Sequence, residues 1–236
     1  MKYLYCLVRG QGSCHGFPAG VDRMAIHPIR LGEIGTLVSD VDPTGAGRRV
    51  DNALAHHRVV NHALAVFPAV LPCRFGTVMR DEAETVGLLI ERYTRLASDL
   101  ERFQGRVEMG IKAILEGEDR EGHEPPKGCA WERRGAGTRY LREKRARFHE
   151  AQHLEAQAER LIHTLQEATS PLVEAVRSER KPFGRGLILS ICCLLERTAL
   201  TRFKQGYAEW RLEYPQARLL STGPWPPYSF AAVDLP

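Results

Sequence analysis

The stretch Gly223-Pro224-Trp225-Pro226-Pro227-Tyr228-Ser229-Phe230 restricts this chain more than any other. Three prolines fix φ and remove amide donors, so the segment is stiff and extended and cannot be a helix. Proline also leaves it too ordered to serve as an entropic linker. Trp225, Tyr228 and Phe230 add large apolar faces to that frame, and such side chains need a surface to rest on. Two readings follow: an arm docked on the body of the same protein, or an arm that offers its aromatics to a partner.

The body that would receive it is an ordinary globular one. With 236 residues, 43% of them hydrophobic and 26% charged, the chain can bury a sizeable core as one large or two small domains. A net charge of +4 results from 33 basic against 29 acidic residues. The excess is spread along the chain, which argues against a nucleic-acid partner. No run of about eighteen apolar residues is present, so no spanning helix is expected, and the apolar start Tyr3 to Val8 is too short for a signal peptide. The expected location is the cytosol. The six cysteines form no C-x-x-C pair and share no ligand spacing with the nine histidines, so reduced buried thiols are expected, without a metal or other cofactor.

Periodicity sets the elements. Tyr3 to Val8 reads as a strand, Met24 to Ile29 and Ile34 to Val41 as a hairpin, and Val50 to Phe67 as a helix stopped by Pro68. Ala69 to Met79 reads as a strand and Asp81 to Phe103 as a helix, with Asp81 and Glu84 spaced for a capping box. Val107 to Leu115 alternates as a half-buried strand. Glu116 to Gly137 lacks periodicity and is expected to be disordered. Tyr140 to Leu165 reads as a long helix, and Ser170-Pro171 as the start of another. The nearly continuous apolar run Leu187 to Leu195 suits a central strand covered on both faces. A helix from Ala199 to Tyr214 and a strand from Ala217 to Thr222 complete the pattern.

The expected fold class is therefore α+β in two domains. Residues 1–67 form an N-terminal α+β domain, and residues 68–236 a ferredoxin-like split βαβ sheet interrupted by a helical insertion at about 138–180. Pro72 conflicts with a central strand, so a bulge or a late strand start is expected there.

No catalytic constellation emerges. His57 and His62 are five apart on one helix, one more than a shared ligand face requires. Gly10-Gln11-Gly12 opens no helix and so lacks the N-terminus that would hold a phosphate. The basic run Arg139 to Arg147 has Glu143, Glu150 and Glu155 in and around it, as a solvated helix face would. Arg74 and Glu108 are charges on expected strands, where burial without a partner is costly; they are expected to pair across the sheet. Cys73, Arg74 and Thr77 motivate an alternative, a small-molecule-binding or catalytic ferredoxin-like domain.

Taken with their order and separation, these segments resemble the gas vesicle protein F/L family (GvpF/GvpL). The resemblance rests on Tyr3-Leu4-Tyr5, His56 with Val59-Val60, Val70 to Val78 including Pro72-Cys73-Arg74-Phe75-Gly76-Thr77, Gly105 through Glu108 to Lys112, Tyr140-Leu141, and the tail from Gly223 to Phe230. It departs from the family at His57-Arg58, where an acidic residue is common, and at 116–137. The resemblance implies a non-enzymatic assembly factor or minor vesicle component. It would bind the main shell protein, limit its aggregation during vesicle nucleation, and meet other gas vesicle accessory proteins. No catalytic residues carry over. The candidates for partner binding are Arg74, Phe75, Glu108, Trp225, Tyr228 and Phe230.

Overall fold

The computed structural model describes residues 1–42, 50–116 and 136–231, with the side chains of 136–140, 142, 143 and 146 left aside. Five strands make the first sheet: β1 (Lys2–Arg9), β2 (His27–Leu31), β3 (Ile34–Asp40), β4 (Ala69–Pro72) and β5 (Val78–Met79). Their order is β2-β3-β1-β4, with β5 pairing β1 further along, and every pairing is antiparallel. Tyr3 to Val8 are all buried, which requires cover on both faces of β1. Helix α1 (Val50–Val66) supplies one cover, clustering Val59, Val60 and Ala63 with Tyr3, Tyr5 and Val8. Helices α2 (Glu82–Glu91) and α3 (Tyr93–Arg102) supply the other, setting Leu89, Leu96 and Leu100 against Leu4, Leu7 and Val38. The Asp81 side chain caps α2 by accepting from Glu84 N at 2.8 Å. The return bond from Glu84 goes one residue further back, to Arg80 N at 2.6 Å.

The second sheet contains β6 (Arg106–Leu115), β7 (Val173–Phe183), β8 (Gly186–Glu196) and β9 (Arg218–Trp225), in the antiparallel order β7-β8-β6-β9. β6 and β8 pair along their whole length, Val107 opposite Leu195 and Leu115 opposite Leu187. Val107, Met109, Ile111, Ala113 and Leu115 face a core built with α4 (Ala136–Thr169) and α5 (Leu200–Leu212), through Leu154, Ala158, Leu161 and Leu165 of α4 and Phe203 and Trp210 of α5. The two helices approach closely at Gly206, where a Cβ would lie 2.8 Å from the Ala168 carbonyl oxygen. Trp210 Nε1 donates to Thr164 Oγ1 at 2.9 Å, so the buried indole keeps its polar edge satisfied.

Two expectations are corrected. Ala69–Pro72, expected to open the second sheet, pairs with β1, Leu71 opposite Leu7, so it and the helices after it belong with the first sheet. Pro72 is tolerated because β4 lies at the sheet edge, where a missing amide breaks no ladder. The fourth strand of the second sheet is instead β7, in the segment expected to be an inserted helix. Its backbone groups satisfy the open edge of the eleven-residue β8 through a tight hairpin, with Gly184 at φ 58. Helix α4 is thus the connection between β6 and β7, not an insertion. The expected disorder falls on 117–135, outside the described residues.

The sheets are joined by short bonds. Gly105 N donates to Pro68 O at 2.9 Å, and Arg197 N to Gly105 O at 2.8 Å. Arg197 also donates from Nη2 to Leu64 O at the end of α1. One buried cluster runs through this joint, from Tyr3 and Phe67 to Phe203 and Leu219.

Candidate functional site

The tail begins inside β9 at Gly223, whose φ of 115 suits only glycine and whose Cβ would meet Glu108 O and Met109 Sδ at 2.9 Å. The register slips there, so that Trp225 stands opposite Glu108. From that bulge the chain crosses the sheet face that α4 and α5 leave uncovered. Ser229 is the fastening: its N–H and its hydroxyl donate to the two oxygens of the buried Glu108 carboxylate, at 2.7 and 2.8 Å. Cys192 Sγ lies 3.1 Å from the same hydroxyl oxygen. Arg177 of β7 donates from Nη1 to Ser229 O, and its guanidinium stands 5.5 Å from the Phe230 ring centre. Phe230 is buried in the cluster that joins Leu194 of the second sheet to Cys73, Met79 and Phe103 on the far side of the first sheet.

Two further aromatics, Trp225 and Phe75, lie against the middle of α1. Trp225 meets His57 edge-on at 4.9 Å between ring centres. His56, the neighbouring residue, meets Phe75 at 5.8 Å and stacks on Tyr5 at 5.5 Å. Phe75 and Tyr228 are each about one third exposed, at 36% and 37%, and Trp225 is half-buried. Arg74 stands exposed in the turn between β4 and β5, whose shape is held by Thr77 N and Oγ1 donating to the Arg74 carbonyl at 3.2 and 2.8 Å. The expected Arg74–Glu108 pair does not form. Arg74 is on a turn rather than a strand, and Ser229 donates to both Glu108 oxygens.

His56 itself is only 3% exposed. Tyr3 OH accepts from Gly76 N at 3.0 Å, leaving its own proton for His56 Nδ1, also at 3.0 Å. That assignment puts the proton of the neutral imidazole on Nε2, which has no hydrogen-bond partner among the described residues. Burial, partly opposed by the Cys73 backbone and aided by His57, lowers the His56 pKa to about 4. Burial likewise pushes the Cys73 thiol up to about 12. At neutral pH both groups are neutral, so they do not form a thiolate–imidazolium pair. Among the described residues no group of three His, Cys, Asp or Glu could hold a metal ion, and no helix is long and apolar enough to cross a membrane.

The structure thus sets Phe75, beside Arg74, and Trp225 against the neighbouring His56 and His57, leaves Tyr228 of the tail about one third exposed, and uses Glu108 and Phe230 to hold the tail. Sequence reasoning missed Ser229, Arg177 and the Tyr3–His56 pair. Ser229 lay within the tail block, but a serine there carries no signal of its partner. Arg177 was hidden in the segment misread as a helix.

Comparison with known proteins agrees along the whole length. The family described as "Gas vesicle synthesis protein GvpL/GvpF" matches residues 1–232. The chain belongs to this family. The GvpL/GvpF relatives include gas vesicle protein L of Streptomyces sp. (strain CB03234), 30% identical over 99% of this chain and 93% of that protein. Gas vesicle protein L1 of Halobacterium salinarum is 23% identical over 98% of this chain and 90% of its own length. The fold is shared with the crystal structure of gas vesicle protein GvpF from Anabaena sp. PCC7120, at a TM-score of 0.80 and 18% identity over 99% of this chain and 97% of that one. GvpF from Microcystis aeruginosa superposes with a TM-score of 0.74 at 17% identity, covering 98% of each chain.

Proposed function

We propose that this GvpL/GvpF protein is a non-enzymatic gas vesicle assembly factor or minor vesicle component. It binds the main shell protein in the cytoplasm, at the vesicle, and limits its aggregation while a vesicle nucleates. The whole-length family match carries this reading. A shell subunit with an apolar face risks association before incorporation, and a binder that covers that face suppresses it. The partly exposed Phe75, Tyr228 and Trp225 have the aromatic character of an interface centre, with Arg74 beside Phe75. Glu108 and Phe230 serve the same site by holding the tail in place.

On this reading the protein has two units divided near Gln104–Gly105, and the second, with its strand-helix-strand-strand-helix-strand order, is ferredoxin-like. The test is light scattering of purified shell protein with the factor added at near-stoichiometric ratio. Suppression by the natural protein, and its loss in a Phe75→Ser/Tyr228→Ser variant, is the expected result. Unchanged aggregation, with no co-purification of the two proteins, overturns the reading.

A further inference from the structure

A second surface lies far from the tail, on the N-terminal half of α4. From Leu141 to His153 every described side chain is exposed except the half-buried Glu150, over a length of about 20 Å at the helical rise. Leu154 is the first buried side chain among the described residues of the helix. Leu141 and Phe148, 64% and 62% exposed, are seven residues apart and so share one face. Lys144 and Arg145 lie between them on that face, and Arg147 flanks it. Where the helix meets the β7–β8 hairpin, a groove of about 780 Å³ opens beside it, floored by Ala151, Leu154, Pro182 and Leu187.

Among the described residues the charges here are not paired locally. Glu150 faces Arg185 at 3.7 Å, and Glu155 and Glu159 are both held by Arg180 of β7, so the carboxylates at the root of the exposed stretch are engaged internally. Among the described residues Lys144, Arg145 and Arg147 have no carboxylate partner, Arg145 donating only to His149 Nε2 at 3.4 Å. One oxygen of Glu150, Oε1, is buried at the groove without a hydrogen-bond partner among the described residues.

We propose that this exposed face docks an amphipathic helix of another protein, with an apolar seam and acidic flanks. An apolar pair at heptad spacing beside a groove is what a packed helix fills, and the bases of α4 complement acidic flanks. A second copy of this chain fits poorly, because it sets two basic helices against each other. A nucleic acid fits poorly as well, because phosphates gain nothing from the exposed Leu141 and Phe148. The surface is independent of the tail aromatics and of the shell-binding reading.

The probe is a labelled three-heptad peptide with leucine at the seam and glutamate at the flanks, compared with its lysine-flanked counterpart by fluorescence anisotropy. The natural protein is expected to bind the acidic peptide at least ten-fold more tightly than the basic one, with affinity falling as salt rises. Phe148→Asp weakens that binding at least ten-fold. A Lys144→Glu/Arg145→Glu variant reverses the preference, and both variants keep the natural melting temperature because these side chains are exposed. Absent or Phe148-independent peptide binding overturns the proposal. So does self-association abolished by Phe148→Asp, or tighter binding to duplex DNA or anionic vesicles than to the acidic peptide.

Discussion

Replacing His56 by asparagine and lowering the pH separates the burial of this residue from every other acid-sensitive group. In the folded protein its pKa is about 4, against 6.5 for a freely solvated imidazole. The unfolded chain therefore binds a proton first, and stability is fully present above the unfolded value and lost as pH falls toward the folded one. With these two values the linkage relation puts the loss at about 2 kcal/mol by about pH 5 and about 3 kcal/mol by about pH 4. Asparagine can accept from Tyr3 OH near the position of Nδ1 but does not titrate. The variant starts less stable, and what matters is its slope. Urea unfolding at several pH values between about 7.5 and 5 should show the natural protein losing about 2 kcal/mol more than His56→Asn over that span. Parallel slopes would mean that His56 is hydrated or protonated in the folded state, and would refute the account of a buried neutral imidazole.

Ser229→Ala and Glu108→Gln should each destabilise by about 1–3 kcal/mol, since each leaves a buried polar group without its partner. In a double-mutant cycle the two losses should couple; strict additivity would show that the tail is fastened elsewhere. Alkylation with peptide mapping should modify the half-buried Cys14 and Cys192 before Cys6, Cys73 and Cys193, whose thiols burial disfavours as thiolates. Early labelling of Cys73 in folded protein would contradict its burial.

What was legible in the sequence was what local pattern controls. The helix from Val50 and the strand ending at Leu115 both carry strong periodicity, and both are found close to their expected bounds. The resemblance of the tail and Pro72–Thr77 blocks placed the chain in its family. Partner choice between strands was not legible, because Val70 and Leu71 are equally apolar whichever sheet receives them. β7 was misread for a related reason: Leu172, Val173 and Val176 have helical spacing, and only the open edge of β8 makes the segment a strand. At the candidate site the aromatics were visible as residue types, while the groups that hold the tail, the acceptor Glu108 and the donor Arg177, come from strands far away in sequence. Glu108 was singled out as a charge that needs a partner. That partner proved to be Ser229, a neutral residue 121 positions later.

Phe230 follows in sequence every strand it packs against. During synthesis from the N-terminus, the far side of the first sheet and Leu194 of the second must therefore wait with a greasy gap between them until the segment carrying Phe230 arrives to fill it. A nascent chain of this kind carries its own sticky patch until Phe230 is in place.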